Sequence, residues 1–259
     1  MQGYVHNALF GIYPYLALTI FLVGSLLRFE TDQYGWRSKS SQLLRRKQLV
    51  WGSVLFHVGI LGILAGHFVG LLTPIVVFDA LGISHGAKQM LAIVAGGLFG
   101  IACFAGLTML LHRRLFDVRI RKTSSTSDIA VLGLIWAQLV LGLLTIPFSL
   151  GHLDGEEMVK FMNWAQSVAY LKGGAAAHIA DVAPVFKLHI VLGLTLLVVF
   201  PFSRLVHAWS APIGYLGRRY QIVRTKRRAV AEDPELLPPV YASWPESVPS
   251  PPPPVREAA

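Results

Sequence analysis

Residues 51–72 read WGSVLFHVGILGILAGHFVGLL and residues 186–209 read FKLHIVLGLTLLVVFPFSRLVHAW. Each of these apolar stretches holds two histidines, His57 and His67 in the first and His189 and His207 in the second. Both stretches are long enough to cross a bilayer as a helix. Two neutral imidazoles on opposite sides of a haem iron form a six-coordinate electron-transfer centre. The pattern therefore predicts two bis-histidine sites that hold two b-type haems across a membrane.

The composition of the chain supports a membrane protein. Of its 259 residues, 54% are hydrophobic and 14% are charged, against about 25% charged in a soluble domain. Apolar runs near 5–27, 50–72, 90–111, 128–148 and 188–209 each approach the length of a spanning helix. We expect an all-α, five-helix transmembrane bundle. Arg28 and Glu30 follow the first run directly, so it is interpreted as a retained helix and not a signal peptide.

The distribution of basic residues predicts the orientation. Short cytoplasmic loops are rich in lysine and arginine. The connections after the first and third runs and the segment after the fifth are basic, with Arg28, Arg37, Lys39, Arg45, Arg46 and Lys47, then Arg113, Arg114, Arg119, Arg121 and Lys122, then Arg204, Arg218, Arg219, Arg224, Lys226, Arg227 and Arg228. This pattern predicts an N-terminus outside the membrane and a cytoplasmic C-terminus. It also explains the net charge of +9 without a nucleic-acid partner.

Cys103 is the one cysteine of the chain. A single cysteine excludes a covalent c-type haem, an iron–sulfur cluster and a disulfide framework. Cys103 is interpreted as a small buried residue. Any redox centre must then be held by histidine.

The topology predicts how the four histidines pair. The second and fifth helices run in opposite directions, so His57 should lie level with His207 near the cytoplasm, and His67 level with His189 near the outer surface. The ten-residue and eighteen-residue separations correspond to rises of roughly 15 Å and 27 Å in continuous helices, so tilt would have to absorb a mismatch of about 12 Å. A proton relay or hydrogen bonds between helices remain alternatives for these histidines. The other histidines are interpreted as interfacial or solvated, namely His6, His85, His112, His152 and His178.

Haem propionates need cationic partners near the membrane surface. Arg204 lies three residues before His207, and Arg113 and Arg114 end the third helix, so these three are candidates. The alternative is that they only supply the positive charge of cytoplasmic loops. Glycines of the second helix allow a haem or a neighbouring helix to approach closely, and both interpretations stay open; they are Gly52, Gly59, Gly62, Gly66 and Gly70.

Four segments carry a family resemblance: IYPYLALTIFLVGSLLRFETDQYGWRSKSSQLL (12–44), FHVGILGILAGHFVGLLTP (56–74), GLLTIPFS (142–149) and VFKLHIVLGLTLLVVFPFSRLVHAWSAPIGYL (185–216). Over roughly residues 8–225 the chain closely resembles the gamma subunit of membrane-bound respiratory nitrate reductase, a dihaem cytochrome b. The resemblance implies a subunit of a bacterial inner membrane, with a periplasmic N-terminus, that oxidises menaquinol or ubiquinol near the periplasmic face. It implies electron transfer through an outer haem on His67 and His189 and an inner haem on His57 and His207. From there electrons would pass to an iron–sulfur beta subunit and a molybdenum alpha subunit that reduces nitrate to nitrite. Inward electron transfer with outward release of quinol protons would contribute to the proton-motive force.

The resemblance also assigns a quinol site and leaves two functional alternatives. Lys88 in GAKQM matches the lysine of the family's quinol pocket, beside the outer haem at His67. The alternative for Lys88 is a side chain that extends to the membrane interface. One competing function is a related dihaem subunit that feeds a heterodisulfide- or sulfite-type reductase, and the other is a haem-free transporter with a histidine proton path. No nitrate site is identified in this chain.

The chain is predicted to have one membrane domain and a tail. Residues 1–228 contain the five apolar runs. Residues 229–259 are rich in proline and lack helical periodicity, which is typical of disordered or polyproline-like segments. We expect a disordered cytoplasmic tail there.

Overall fold

The computed structural model describes residues 2–36, 44–210 and 217, and within these residues it is helical and has no strand. Five spans are long and apolar enough to cross a membrane, which confirms the predicted number of helices; they are Gly3–Gly35, Arg46–Leu72, His85–Phe116, Thr126–Leu150 and Pro184–Phe202. The α-helices are Gln2–Asn7 (α1), Tyr13–Asp32 (α2), Arg46–Leu72 (α3), Ile75–Ala80 (α4), His85–Phe116 (α5), Val118–Lys122 (α6), Thr126–Leu150 (α7), Glu156–Ala169 (α8) and Pro184–Val199 (α9). A π-helical segment, Ala8–Ile12, joins α1 to α2. The tail 229–259 lies outside the described residues.

The long helices form an arc. Helix α3 packs on α5, α5 on α7, α7 on α9, and α9 on α2. The two helices that carry the histidine pairs, α3 and α9, are therefore separated along the arc by α5 and α7. Their histidines meet across its interior, which makes that interior the place to look for a site.

Helices α3 and α5 approach each other closely because glycines line their contact. A Cβ atom added to Gly59 would lie 2.6 Å from the Cβ atom of Cys103, and one added to Gly106 would lie 2.7 Å from the carbonyl oxygen of Gly52. Small residues at such positions let membrane helices pack through van der Waals contact. Cys103 is fully buried at this contact, which confirms its interpretation as a buried residue.

The glycines of α3 divide between the two interpretations left open by the sequence. Gly52, Gly59 and Gly62 face side chains or backbone of α5, whereas a Cβ atom added to Gly66 or Gly70 would meet no atom within 4 Å. The first group serves helix packing. The second group makes no helix contact of this kind among the described residues.

The last predicted helix is shorter than expected. A continuous helix over 188–209 is wrong, because α9 ends at Val199 and is followed by a 3₁₀ turn, Phe200–Phe202, and a 3₁₀ helix, Arg204–Ser210. Between them Ser203 is extended, with φ −120° and ψ 178°. Pro201 lacks a backbone N–H and cannot continue the α-helical hydrogen bonding. The eighteen-residue rise calculated for a continuous helix therefore does not apply to His189 and His207.

Helix α2 holds this break in place. A Cβ atom on Gly24 would lie 2.8 Å from Cγ of Pro201, so glycine makes room for the proline ring. Arg28 donates hydrogen bonds to the carbonyl oxygens of Pro201 at 2.7 Å and Ser203 at 2.8 Å. Carbonyl groups freed by a break are costly inside a membrane unless they find such donors.

Helix α8 covers one end of the bundle. It lies in the 149–187 connection, where the sequence analysis predicts no helix. Trp164 donates to the carbonyl oxygen of Phe10 at 2.9 Å, and Gln166 donates to those of Leu71 and Thr73 at 3.1 and 3.2 Å. The last carbonyls of a helix have no partner within it, so Gln166 caps the C-terminal end of α3.

The close contact of α3 with α5 leads to a stability prediction. Gly59→Ala places a methyl group against the backbone of Cys103, 2.7 Å from its Cα atom, and such overpacking costs about 1–3 kcal/mol. We expect a lower midpoint of thermal unfolding for the detergent-purified assembly, followed by circular dichroism. Gly96→Ala on α5 is the matched control, because a Cβ atom there meets nothing within 4 Å. Equal midpoints for the two variants would contradict this account of the helix contact.

Candidate functional site

The structure brings the four histidines together as two pairs. The ring centroids of His57 and His207 are 6.3 Å apart, with an angle of 75° between the ring planes. Those of His67 and His189 are 6.2 Å apart, with an angle of 40°. These are the same pairs that the topology predicts, and the two pairs lie at different depths of the bundle.

The spacing of each pair fits two imidazoles on opposite sides of one metal. A transition-metal bond to a histidine nitrogen is about 2.0–2.1 Å long, and that nitrogen lies about 1.1 Å from the ring centroid, so two rings in line across a metal have centroids roughly 6 Å apart. Both observed separations match this value.

Three of the four histidines share one hydrogen-bonding pattern. Nδ1 of His57 bonds the carbonyl oxygen of Ser53 at 2.7 Å, Nδ1 of His67 that of Ile63 at 2.8 Å, and Nδ1 of His207 that of Arg204 at 2.6 Å. A carbonyl oxygen only accepts, so these contacts assign the proton to Nδ1 and leave the lone pair on Nε2. This tautomer is the one that binds a metal through Nε2, with the second nitrogen held by an acceptor.

His189 has different surroundings. Its ring is half-buried, and its Nδ1 atom is buried with no hydrogen-bond partner among the described residues. Gln138 on α7 contacts it instead, with the amide Nε2 atom 3.4 Å from Nε2 of the ring and 3.0 Å from the carbonyl oxygen of His189. Gln138 is not predicted from the sequence, because a single glutamine within an apolar run does not indicate which residue it contacts.

Arginines gather at the end of the bundle nearer to the His57–His207 pair, which we call the basic end. Arg114 Nη1 lies 3.9 Å from one oxygen of Asp128, and Arg204 Nε lies 3.4 Å from the other. Two of the three predicted propionate partners thus converge on one carboxylate. Asp128 is a residue of this site that the sequence analysis places only at the boundary of an apolar run.

Arg113, the third candidate, points elsewhere. Its Nη2 atom donates to the carbonyl oxygen of Leu44 at 2.6 Å, just before α3. Beside it Arg45 and Asp117 form an ion pair of 2.7 Å. Hydrogen bonds from the N–H groups of Ile120 and Arg119, together with Arg45, hold the pKa of Asp117 below its usual range. Arg113 therefore joins α5 to the start of α3 instead of joining Arg114 and Arg204.

Lys88 lies at the opposite end, which we call the Lys88 end. The residue is 5% exposed, so its side chain is enclosed by the protein. Its ammonium group donates to the carbonyl oxygen of Gly70 at 2.9 Å and to Sδ of Met162 at 2.6 Å, and it lies 4.2 Å from the centroid of the Phe78 ring. A cation at a helix C-terminus is electrostatically favoured. Gly70 follows His67 by three residues, so Lys88 lies near the His67–His189 pair.

The other histidines lie outside the two pairs. Each contacts a different neighbour: His6 the carbonyl oxygen of Ala176, His85 the Asp79 carboxylate, His112 the Phe116 ring, His152 the carbonyl oxygen of Phe148, and His178 the Ser167 hydroxyl. None of these contacts joins a second histidine, and no group of three or more potential metal-ligating side chains occurs among the residues that the structure describes.

These features define a class: a helical membrane protein with five spans and two histidine pairs across its interior. The sequence model of the nitrate reductase gamma subunit family matches residues 6–226. The chain belongs to that family.

Three relatives align with this chain along nearly their whole length. The respiratory nitrate reductase 1 gamma chain of Escherichia coli is 52% identical over 217 residues, covering 84% of this chain and 96% of the relative. The respiratory nitrate reductase 2 gamma chain of the same organism is 48% identical, covering 88% and 100%. The nitrate reductase gamma chain of Bacillus subtilis is 41% identical, covering 84% and 97%.

An ion-pair network fixes α8 over the Lys88 end and predicts a pH dependence. Lys160 Nζ lies 3.1 Å from Glu157 and 2.8 Å from Asp181. The hydrogen bond from Lys160 lowers the pKa of Asp181, and bonds to Asp181 and Glu157 raise the pKa of Lys160. A lowered aspartate pKa stabilises the fold above the unfolded value, about 4, and this contribution is lost as the pH falls through the lower folded value. The raised pKa of Lys160 stabilises the fold at every pH below the pKa of an unfolded lysine. Both ion pairs are therefore formed at neutral pH.

We expect amides of α8 to exchange faster in acid than near neutral pH. The measurement is hydrogen exchange by mass spectrometry on the assembly, corrected for intrinsic rates. Lys160→Met should show the faster exchange already at neutral pH and lose most of the acid dependence. If the variant keeps the acid dependence of the unaltered chain, another group is responsible.

Proposed function

We propose that this chain is the membrane-anchoring, quinol-oxidising electron-transfer subunit of a respiratory nitrate reductase. Its partners are an iron–sulfur beta subunit and a molybdenum catalytic alpha subunit that reduces nitrate to nitrite. The two histidine pairs, with ring centroids 6.3 and 6.2 Å apart, carry the proposal. Membership of the gamma subunit family and relatives named as gamma chains of respiratory nitrate reductases support it.

The histidine pairs hold two haems of the b type. His57 and His207 bind the inner haem and His67 and His189 the outer one, each residue through one ring nitrogen. When bound, haem would supply a one-electron carrier at each of two depths, and two histidines to each haem would leave no position open for oxygen. The backbone carbonyls of Ser53, Ile63 and Arg204 orient three of the rings through Nδ1.

Arg114 and Arg204 bind the propionates of the inner haem. Their guanidinium groups meet at Asp128, which offsets one of the two positive charges and fixes both side chains. A guanidinium has five N–H groups and can therefore bind more than one acceptor, as Arg114 does with Asp128 and the Ser124 hydroxyl. Arg113 is assigned a structural role at the start of α3 because of its bond to Leu44.

The orientation follows from the basic end. Arginine and lysine flank α3, α5 and α9 at that end, so it faces the cytoplasm and the Lys88 end faces the periplasm. The N-terminus is periplasmic and the C-terminus cytoplasmic. Electrons then move inward while quinol protons leave outward, which contributes to the proton-motive force.

Lys88 donates a hydrogen bond to the quinol. Its ammonium group has a strong acceptor in the carbonyl of Gly70 and a weak one in the thioether of Met162. A quinol oxygen is a better acceptor than sulfur, so substrate can replace Met162 at little cost. His67 lies one turn from Gly70, which brings the same substrate to the outer pair. Phe78 supplies an aromatic face beside the ammonium group.

The proposal is tested by visible difference spectra of membranes that contain the complete complex. We expect a b-type spectrum after reduction by a menaquinol analogue and its reoxidation by nitrate. His207→Ala should remove the inner haem and about half of the b-type absorbance, since each pair holds one of two haems. The variant with His112→Ala is the control, because the His112 ring packs on Phe116 and belongs to neither histidine pair.

The same spectra separate the competing functions. A b-type spectrum that nitrate leaves reduced would keep the quinol-oxidising dihaem subunit and assign it to a different reductase, of the heterodisulfide or sulfite type. Absence of any haem spectrum after dithionite would contradict the proposal and favour the haem-free transporter.

The role of Lys88 predicts a kinetic effect. Lys88→Met keeps the length of the side chain and removes the charged donor, so we expect reduction of the haems by quinol to slow about tenfold to a hundredfold, the value of a hydrogen bond to a charged group. The dithionite-reduced spectrum should be unchanged. Stopped-flow absorbance measures the rate. Lys187→Met is the matched control, because Lys187 donates to the carbonyl oxygen of Ala180, seven residues before it; equal rates for both variants would remove Lys88 from the site.

A further inference from the structure

Gln138 forms a contact between α7 and the His67–His189 pair that the proposed function does not use. Its amide Nε2 atom donates to the carbonyl oxygen of His189 at 3.0 Å and lies 3.4 Å from Nε2 of the ring. Oε1 of Gln138 and Nδ1 of His189 are both buried without a partner among the described residues. Unpaired buried polar atoms are uncommon and costly. Two of them on side chains already in contact indicate a role beyond packing.

Two glycines make this contact possible. Gly142 lies one turn after Gln138 on α7, and a Cβ atom there would lie 3.0 Å from Cε1 of His189. Gly193 lies one turn after His189 on α9, and a Cβ atom there would lie 3.1 Å from Nε2 of Gln138. Residues four apart share a helix face. Gly142 on α7 therefore leaves room for the imidazole ring of His189, and Gly193 on α9 leaves room for the amide of Gln138.

His189 needs an external partner more than the other three histidines do. His57, His67 and His207 are each oriented by a carbonyl of the preceding turn of their own chain segment. No substitution of a side chain removes such a carbonyl. His189 instead depends on a side chain of another helix, so its orientation can be altered by a single substitution at Gln138.

We propose that Gln138 is a positioning residue that holds His189 in place through its backbone carbonyl and raises the reduction potential of the haem held by His67 and His189. The inference rests on the proposed function. The positive end of the amide, its NH₂ group, faces His189. A nearby positive dipole stabilises the reduced state of the metal, which carries one positive charge less. By holding the backbone of His189, Gln138 also contributes to the angle of 40° between the two imidazole planes.

The experiment is a potentiometric titration of the complete complex carrying Gln138→Leu, followed by visible and electron paramagnetic resonance spectra. We expect both haems to be present. The equilibrium constant for reduction of one haem should fall about threefold to tenfold, the net effect of one hydrogen bond, and the low-spin resonance signal of that haem should shift with the imidazole angle. The other haem should keep its potential and its signal.

The matched control is Gln48→Leu. Gln48 also links two helices through its amide, from α3 to the carbonyl oxygen of Met109 at 3.1 Å, and this bond does not involve a histidine. Both haems should keep their potentials in this variant. If Gln138→Leu does not assemble with two haems, Gln138→Met, which retains the chain length, carries the same measurement.

The outcomes separate this inference from the proposed function. Two haems with unchanged potentials and signals in the Gln138 variant would overturn the role of Gln138 and leave the proposed function intact. A shift of the same size in the Gln48 variant would also overturn it, because loosened helix packing would then be the cause. Absence of haem from the unaltered complex would instead overturn the proposed function.

Discussion

The requirement that two antiparallel helices present histidines to each other at two depths governs this structure. His57 and His67 are separated by ten residues of continuous helix, whereas His189 and His207 are separated by eighteen. In continuous helices the rises would differ by about 12 Å, yet the ring centroids of the two pairs are 6.3 and 6.2 Å apart. A 3₁₀ helix rises about 2.0 Å per residue, so the segment beyond Val199 cannot shorten along the same axis. It must turn away from that axis, and the extended Ser203 is where it does so.

The break in turn explains the role of α2, which carries no histidine of either pair. Gly24, Ser25 and Arg28 lie close together on α2, and all three contact the segment that follows α9: Gly24 faces Pro201, Arg28 binds the freed carbonyls, and Ser25 accepts a hydrogen bond from Trp209 at 3.3 Å. Backbone groups at membrane depth must find partners within the protein. Helix α2 supplies them, and thereby fixes the position of His207 relative to His57.

Hydropathy and topology were sufficient to predict the five spans and which histidines meet, because both depend on the one-dimensional order of apolar and charged residues. Hydropathy averaged over a window does not show the break at Pro201, since the flanking Phe200 and Phe202 keep this part of the run apolar. It also conceals α8, whose apolar face packs on the bundle end and not in lipid, within a connection of balanced charge. The partners of single polar residues were beyond the sequence: Gln138 meets His189, and Asp128 joins Arg114 to Arg204, only because the helices that carry them pack side by side. Lys88 was located, but its burial depends on Met162 of the unpredicted α8.

The two ends of the bundle differ in a way that suits opposite tasks. At the Lys88 end, one buried ammonium group is held by a helix C-terminus, a thioether and an aromatic ring, surroundings with few strong acceptors. Under the proposed function, an apolar substrate with a polar head finds there a donor whose bond to the Met162 thioether is weak. At the basic end, Arg114 and Arg204 share the Asp128 carboxylate and Arg45 pairs with Asp117, so these side chains are fixed. Exchange of substrate needs the first kind of environment, and a constant distance between a fixed carrier and a docked partner needs the second. Under the proposed function, the asymmetry of these two ends is therefore what gives electron transfer through the chain its direction of entry and exit.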